Sequence, residues 1–149
     1  MSYLAVDDKK NAEKELLAAS KLSPDNPLPY FTLGDIAFSE NRTDQALTYY
    51  DKVLSIDPDN IKTLGKRADT YQALGKYEQA IGDYASLLAI DNNQPAVYLK
   101  LGILHQVRND YAKAKQAYLS AIEYEPDAVL AYNNLAWMAA EHNQDISDA

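Results

Sequence analysis

Hydrophobic residues recur along this chain at intervals of three and four positions, with polar residues between them. A first stripe consists of Tyr30, Leu33, Gly34, Ala37 and Phe38. After a short polar turn, a second stripe consists of Ala46, Leu47, Tyr50, Val53 and Leu54. Such spacing places apolar side chains on one face of an α-helix, and the strict alternation that predicts a strand is absent from the sequence. The pattern therefore predicts paired helices that form hairpins.

The hairpin pattern repeats with a fixed period. Pro24, Pro58, Asn92 and Pro126 mark one turn and lie 34 positions apart. Shifting the chain by this period also aligns residues of matched chemistry, in four columns: Ala12, Ala46, Ala80 and Ala114; Leu16, Tyr50, Tyr84 and Tyr118; Tyr30, Leu64, Tyr98 and Tyr132; Gly34, Ala68, Gly102 and Ala136. A fixed period of this length is typical of a solenoid of stacked hairpins.

This period divides the chain into complete and partial repeats within one predicted domain, 1–149. The complete repeats are 27–60, 61–94 and 95–128, and the partial repeats are 1–26 and 129–149. Antiparallel helices approach closely only where side chains are small, which explains the glycine and alanine column. We expect the tyrosine column to fill the space between repeats. Asn26 before Pro27 predicts a helix start, with an N-cap followed by proline at the first helical position.

The repeat 61–94 departs from the others. Arg67 stands where the other repeats have leucine, and Gly65 and Gly82 lie inside predicted helices. An interior glycine costs roughly 0.5–1 kcal/mol relative to alanine. Asn92 replaces the usual proline in the turn that follows. We therefore expect this repeat to be the least stable, with a looser turn after it.

One segment resembles a known family. Residues 71–80, YQALGKYEQA, resemble the most typical stretch of the tetratricopeptide repeat. The resemblance implies an all-α fold, an α-α superhelix (solenoid) of stacked antiparallel helix hairpins. It also implies a non-catalytic scaffold that binds a peptide or helical segment of a partner protein in its concave groove.

A second segment resembles the repeats of one group of proteins. Residues 132–141, YNNLAWMAAE, resemble the late repeats of long bacterial solenoids. This resemblance implies a fragment of a longer bacterial solenoid, and some such solenoids serve surface-polysaccharide or protein-sorting systems.

Composition narrows the class of partner. The net charge of −8 repels phosphate backbones and anionic lipid, so we expect a protein or peptide partner and no nucleic acid. No apolar run approaches the ~20 residues needed to span a bilayer, so we expect no membrane insertion. The absence of cysteine excludes disulfides, thiolate metal sites and cysteine nucleophiles, and it suits both the cytosol and the periplasm.

No converging set of reactive groups is visible in the sequence. His105 lies in a column that faces the hairpin interior, and no second histidine lies at ligand spacing. We interpret it as a packed, hydrogen-bonded residue rather than a metal ligand or general base, and His142 as a solvated residue of the terminal turn. The glycines form no phosphate-binding loop. We predict no enzyme activity and no catalytic, cofactor-binding or metal-binding residues.

The first helix of each hairpin is expected to line the partner-binding surface. The residues predicted for this groove are Phe31, Asp35, Phe38, Lys62, Lys66, Asp69, Leu99, Lys100, Ile103, Asn133, Asn134 and Trp137. Gln72, Gln106 and Leu130 belong to the same face. The apolar members are not expected to be needed for hairpin packing, and the two asparagines suit a peptide backbone. The alternative is that these residues contact neighbouring helices.

Some members of this family bind the C-terminal tail of a chaperone through a set of clamp residues, and this sequence can be compared with that set position by position. The family's clamp for a C-terminal carboxylate needs Lys and Asn, then Asn, then Lys and Arg in successive first helices. The corresponding residues here are Phe31, Asp35, Lys66, Ala96 and Lys100, and a shift by one repeat fits no better. We therefore predict no clamp of this kind.

The second functional hypothesis is self-association. The last predicted first helix has no partner helix, so an apolar face would meet water, formed by Tyr132, Leu135, Ala136 and Ala139. Burial of such surface stabilises association, at ~25 cal/mol per Å² before association costs. This hypothesis predicts a structural or assembly module that forms a homodimer through exposed terminal helices.

Overall fold

The secondary structure is entirely helical across the part of the chain described here. A computed structural model describes the backbone of residues 3–147 and the side chains of residues 8–141. Within that range it contains eight α-helices and no strand. In chain order they are α1 (Tyr3–Leu22), α2 (Pro27–Ser39), α3 (Thr43–Ile56), α4 (Ile61–Ala73), α5 (Tyr77–Ile90), α6 (Pro95–Val107), α7 (Tyr111–Tyr124) and α8 (Val129–Ser147). The prediction of an all-α fold built from helix hairpins is confirmed.

The helices form two compact units, Met1–Ile90 and Asp91–Ala149. In the first unit, α2 pairs with α3 and α4 with α5, while α1 packs on α2 and α3 packs on α4. In the second unit, α6 pairs with α7, and α8 packs on α7. The division lies beside Asn92, in the turn that lacks the proline of the other repeats.

The polar turns between hairpins start the helices that follow them. The Asn26 side-chain oxygen accepts a hydrogen bond from the Leu28 backbone N–H at 3.1 Å, and Pro27 is the first residue of α2. Asn60 caps α4 similarly, because its side-chain oxygen accepts from the Thr63 backbone N–H at 3.0 Å. Each cap satisfies a backbone donor that has no partner within the helix. The predicted start of α2 is confirmed.

The turns inside the hairpins share one backbone conformation. Asn41, Gly75 and Asn109 lie one period apart and have φ angles of 59°, 70° and 60°. Glycine adopts this left-handed region without steric cost, and asparagine tolerates it better than most residues. The backbone N–H of Arg42 then donates to the Ala37 carbonyl at 2.9 Å, which closes the end of α2. The two helices are thereby joined by a very short turn.

The tyrosines of the repeat column lie inside the hairpins and do not fill the space between repeats, so that expectation is wrong. Tyr50 and Tyr118 are fully buried, each against a glycine of the first helix in its own hairpin. A Cβ atom at Gly34 would lie 2.5 Å from a ring carbon of Tyr50, closer than real Cβ contacts occur, and Gly102 has the same relation to Tyr118. The ring therefore occupies the space that a side chain would need, and it sets the distance between the two helices.

This contact can be tested with two glycine substitutions. Gly102→Ala should destabilise the protein by about 1–3 kcal/mol, because the added methyl group overlaps the buried Tyr118 ring. Gly82→Ala is the matched control, since Gly82 is exposed within α5 and its added Cβ meets nothing within 4 Å. The control should gain about 0.5–1 kcal/mol from helix propensity. Urea unfolding measures both, and shifts of the same sign would contradict this packing.

Candidate functional site

The buried tyrosines direct their hydroxyl groups to polar side chains on the first helices of their hairpins. Each unit has its own surface formed by these helices, called its first-helix face: α2 and α4 form it in the first unit, and α6 and α8 form it in the second. In the first unit, the Tyr50 hydroxyl donates a hydrogen bond to the Asp35 carboxylate at 2.7 Å, and Tyr84 donates to Asp69. Burial, reinforced by these bonds, raises the pKa of both tyrosines, so both remain donors.

The charged groove residues of the first unit already have partners. Lys66 Nζ lies 3.5 Å from the Asp35 carboxylate, which also accepts from Tyr50. Lys62 Nζ lies 4.8 Å from the centre of the Phe31 ring, within the range of a cation–π contact. These predicted binding residues therefore contact one another, and a ligand would have to break those contacts in order to bind them.

Three apolar groove residues contribute to packing. Phe31 and Phe38 pack against the buried cluster around Tyr50, and the Phe31 and Tyr50 ring centres are 6.2 Å apart. Leu99 packs against the buried cluster around Tyr118. The expectation that these residues are not needed for packing is therefore wrong. All three side chains are half-buried, and the cluster that Phe31 and Phe38 pack against belongs to their own hairpin.

The second unit has an open cleft on its first-helix face. Its volume is about 590 Å³, and its lining consists of Ile103, Gln106, Val107, Asn109, Tyr111, Leu130, Asn134 and Trp137. None of these side chains carries a charge. Trp137 is 48% exposed and Ile103 37% exposed, so both present apolar surface to solvent. The cleft thus combines exposed apolar surface with uncharged amide groups, as ligand sites in proteins commonly do.

The cleft contains only some of the predicted groove residues. Ile103, Asn134 and Trp137 line it, whereas Lys100 and the exposed Asn133 do not. Three further lining residues were missed, namely Val107, Asn109 and Tyr111. Val107 follows Ile103 by one helical turn, so helical spacing could have indicated it. The other two lie at the hairpin turn, where helical spacing gives no signal.

Hydrogen bonds orient the amide groups of the cleft. The Tyr118 hydroxyl donates to the Gln106 side-chain oxygen at 2.7 Å, and the Tyr111 hydroxyl donates to the Asn109 side-chain oxygen at 3.1 Å. Burial raises the pKa of Tyr118, and a hydrogen bond from Asn134 acts in the opposite direction, as a bond donated to the phenolic oxygen does. The side-chain oxygens of Gln106 and Asn109 therefore each accept one hydrogen bond, which fixes the orientation of the two amide groups.

His105 is a packed residue whose surroundings favour its neutral form. Its Nδ1 atom is buried without a hydrogen-bond partner among the described residues, contrary to the expectation of a hydrogen-bonded histidine. Burial lowers the pKa of His105, against a smaller opposing effect of Asp110. The same described part of the chain holds no group of three or more His, Cys, Asp or Glu side chains that could bind a metal ion. The prediction for His142 concerns a side chain outside the described residues.

Two family models match the chain along its length. Both are described as the tetratricopeptide repeat, one over residues 37–98 and the other over residues 1–61 and 99–149. The chain belongs to the tetratricopeptide repeat family. No helix in the part of this repeat protein that the structure describes is long and apolar enough to cross a bilayer.

Individual relatives share the repeats over part of their length. A tetratricopeptide repeat and J domain-containing co-chaperone of Fusarium oxysporum is 34% identical over 69% of this chain, which covers 21% of that protein. A tetratricopeptide repeat protein from Parabacteroides merdae is 31% identical, with a TM-score of 0.81, and the match covers 90% of this chain and 54% of that one. The chain thus spans about a fifth of the fungal relative.

One solved relative contains a bound peptide. The first tetratricopeptide repeat domain of Spaghetti was solved with the HSP90 peptide SRMEEVD. It is 25% identical to this chain, with a TM-score of 0.72, and the match covers 78% of this chain and 93% of that domain.

An ion-pair network accounts for the unusual arginine in the repeat 61–94. Arg67 donates two hydrogen bonds to the Asp83 carboxylate, at 2.8 and 2.7 Å, and a third to Asp51 at 2.6 Å. This network joins α3, α4 and α5 where other tetratricopeptide repeats of this chain have a leucine. The hydrogen bonds to Asp83 and Asp51 raise the pKa of Arg67, so the guanidinium stays charged. The arginine that stands at this leucine position therefore has its charge paired within the unit.

The two acidic partners of Arg67 should differ in importance. Asp83→Ala should cost about 2–4 kcal/mol, because the Asp83 side chain is only 11% exposed and its loss leaves a half-buried arginine without its bidentate partner. Asp51→Ala is the matched control and should cost less than about 1 kcal/mol, since that side chain is 55% exposed. Chemical denaturation of both variants measures the difference. Equal losses would show that the network does not stabilise the unit in this way.

Proposed function

We propose that this chain is a non-catalytic protein-interaction scaffold that binds a segment of a partner protein in the first-helix cleft of its second unit. The observation that carries the proposal is the cleft itself, which exposes Trp137 and Ile103 beside amide N–H donors and has no charged lining. Aromatic residues are enriched in protein interfaces, and a few of them commonly supply most of the binding energy.

The relatives support peptide binding as a function without naming the partner of this chain. The tetratricopeptide repeat family includes the Spaghetti domain solved with a chaperone peptide. This chain lacks the clamp residues for such a tail, since Phe31 and Asp35 stand where lysine and asparagine are needed. Asp35 moreover places a carboxylate there, held by Tyr50 and Lys66, which would repel the carboxylate of a peptide tail. We propose a partner segment other than an acidic chaperone tail.

Truncation of the exposed tryptophan tests the location of the site. A peptide selected from a random displayed library against the full chain serves as the ligand. Trp137→Ala should weaken its binding at least about tenfold, because an interface tryptophan commonly contributes 2 kcal/mol or more. The fold should persist, since the side chain is half-exposed.

Leu22→Ala is the control for this experiment, because Leu22 is 85% exposed at the end of α1 and lies outside the cleft. Its peptide affinity, measured by calorimetry, should equal that of the wild type. A peptide that binds Trp137→Ala like the wild type would place its site elsewhere and contradict the proposal.

A second candidate function is self-association. A cleft of about 650 Å³ lies between α7 and α8, with a mainly apolar lining of Tyr111, Ala112, Lys115, Leu119, Leu135, Met138 and Ala139. Tyr132 is 50% exposed, as expected for an uncovered helix face, whereas Leu135 is half-buried against the unit's core. A second copy of the chain is the occupant that this candidate requires.

Self-association is tested by measuring the molar mass of the chain in solution over a dilution series. If this cleft joins two copies, light scattering should show a dimer that Leu119→Glu abolishes, because a charge would be buried in an apolar contact. Leu119 suits this test better than Leu135, whose packing against the core would confuse dissociation with unfolding. A monomer at every concentration would eliminate this candidate.

A further inference from the structure

A groove lies on the first unit between the second helices of its two hairpins. Side chains of α3 and α5 form its walls, and side chains of α4 and of the turn before α4 complete its lining. Its volume is about 650 Å³, and its described lining contains none of the residues predicted for the groove of the first helices. This second-helix groove extends along α3 from Asp51 to Ser55 and along α5 from Asp83 to Ile90. The proposed function makes no use of it.

Apolar side chains form part of the lining of the second-helix groove. They are Leu54, Pro58, Leu64, Ala89 and Ile90. Ile90 is 43% exposed, Pro58 and Ala89 are exposed as well, and Leu64 is buried. Apolar surface of this kind is covered well by the CH₂ stem of a long side chain whose charged end lies elsewhere. The groove therefore offers contact area to a polypeptide in addition to its charged groups.

The charged side chains of the same groove do not balance. Arg67 is the only cation among the described lining residues, and it shares the groove with Asp51, Asp59 and Asp83. The Arg67 guanidinium binds both oxygens of Asp83, at 2.8 and 2.7 Å, so these two groups neutralise each other. Asp51 accepts one further N–H of Arg67 at 2.6 Å, and Asp59 is exposed to solvent. Two negative charges therefore remain in excess.

These charges are specific to one position in the repeat array. The residues aligned with Asp51, Arg67 and Asp83 are apolar or aromatic in the neighbouring repeats: Leu17, Leu33 and Tyr49 one period earlier, and Ala85, Leu101 and Ala117 one period later. Replacing a buried ion pair with packed apolar residues is often neutral or stabilising, so stability alone does not account for charges at this position. Recognition of a charged partner does account for them.

The sign of the excess charge selects the occupant. A lysine or arginine head group gains attraction from the two carboxylates, whereas an acidic segment is repelled by them. The net charge of −8 on the whole chain attracts a basic partner over a longer range and disfavours a second copy of the chain in this groove. The stem of the same basic residue covers the apolar part of the lining.

We propose that the second-helix groove of the first unit docks a basic segment of a partner protein, with a lysine or arginine head group paired with Asp51 and Asp59 and its stem packed on Leu54 and Ile90. This site goes beyond the proposed function, because it uses other helices and takes a ligand of different chemistry from that of the uncharged cleft. General attraction of basic peptides to an acidic chain is the alternative that the test has to separate from it.

The test rests on a matched pair of substitutions in the full chain. Asp59→Asn removes one negative charge from the groove. Asp25→Asn is its control, because Asp25 is exposed at the equivalent position one period earlier and lies outside the groove. Each aspartate directly precedes an N-cap asparagine, Asn26 or Asn60, so any effect on the start of the following helix is the same in both variants.

A second substitution and a selected ligand complete the design. Asp51→Asn, added to Asp59→Asn, removes the other excess charge and retains a side-chain oxygen that accepts from Arg67. A random ten-residue peptide library is selected against the full chain at low ionic strength, where charges are screened least. Enriched peptides are synthesised with blocked ends, and those that Trp137→Ala weakens are assigned to the cleft of the second unit and set aside.

The expected result has three parts. The remaining peptides carry lysine or arginine, and their affinity, measured by calorimetry, falls about three- to fivefold in Asp59→Asn and at least about tenfold in the double variant. Their affinity for Asp25→Asn equals that for the wild type. Replacing arginine with citrulline, or lysine with norleucine, keeps the stem but removes the charge, and it weakens binding at least about tenfold. The melting temperatures of Asp59→Asn and Asp25→Asn remain equal.

Three outcomes would overturn the proposal. Equal losses in Asp59→Asn and Asp25→Asn would show general attraction to an acidic chain and no defined site. Neutral analogues that bind like their parent peptides would show that charge does not select the occupant. Failure to enrich any peptide that Asp59→Asn weakens would show that the groove takes no basic segment. None of these outcomes bears on the uncharged cleft of the second unit, which is tested separately.

Discussion

The close contact between a buried tyrosine ring and a glycine of the facing helix is the constraint on which the rest of the structure depends. It occurs at Tyr50 with Gly34 and at Tyr118 with Gly102, where no side chain larger than hydrogen fits. The contact sets the separation of the paired helices, and the short left-handed turns at Asn41 and Asn109 keep that pairing in register. The buried hydroxyl of that tyrosine is hydrogen-bonded to a polar side chain of the first helix, Asp35 in one hairpin and Gln106 in the other. One residue thus determines both the packing of a hairpin and the polar chemistry of its exposed face.

The same hydroxyl has different consequences in the two units, because it meets different residues. In the first unit it holds a carboxylate, Asp35, which Lys66 also contacts, so the charges there are largely satisfied. In the second unit the residue equivalent to Asp35 is Ile103, and the Tyr118 hydroxyl binds Gln106 instead. An apolar residue and an oriented amide replace a charged pair. Ile103 thus contributes an apolar side chain to the second unit's cleft at a position where the first unit has a carboxylate.

The sequence predicts the fold more fully than the site. Helical spacing and the period of the turns predict the hairpins and the cap at Asn26, because those features depend on local residues. The hydrogen-bond partner of each tyrosine hydroxyl depends on how two helices cross, and the crossing geometry cannot be read from the sequence. Helical spacing also does not show that Phe31 and Phe38 pack against the buried cluster, because both lie at the boundary between the exposed face and the packed interior. Asn109 reaches the cleft from a turn, where the three-and-four spacing of a helix does not apply.

The most direct test of the central claim, that partners bind on the first-helix face of the second unit, uses the chain's own fluorescence. Trp137 is the single tryptophan, and it is half-exposed in that cleft. The measurement is acrylamide quenching of tryptophan emission while a selected peptide is titrated into the full chain. The account predicts that binding shifts the emission to shorter wavelength and protects it from quenching, with the same dissociation constant as calorimetry. A peptide that binds by calorimetry while emission and quenching stay unchanged would contradict it.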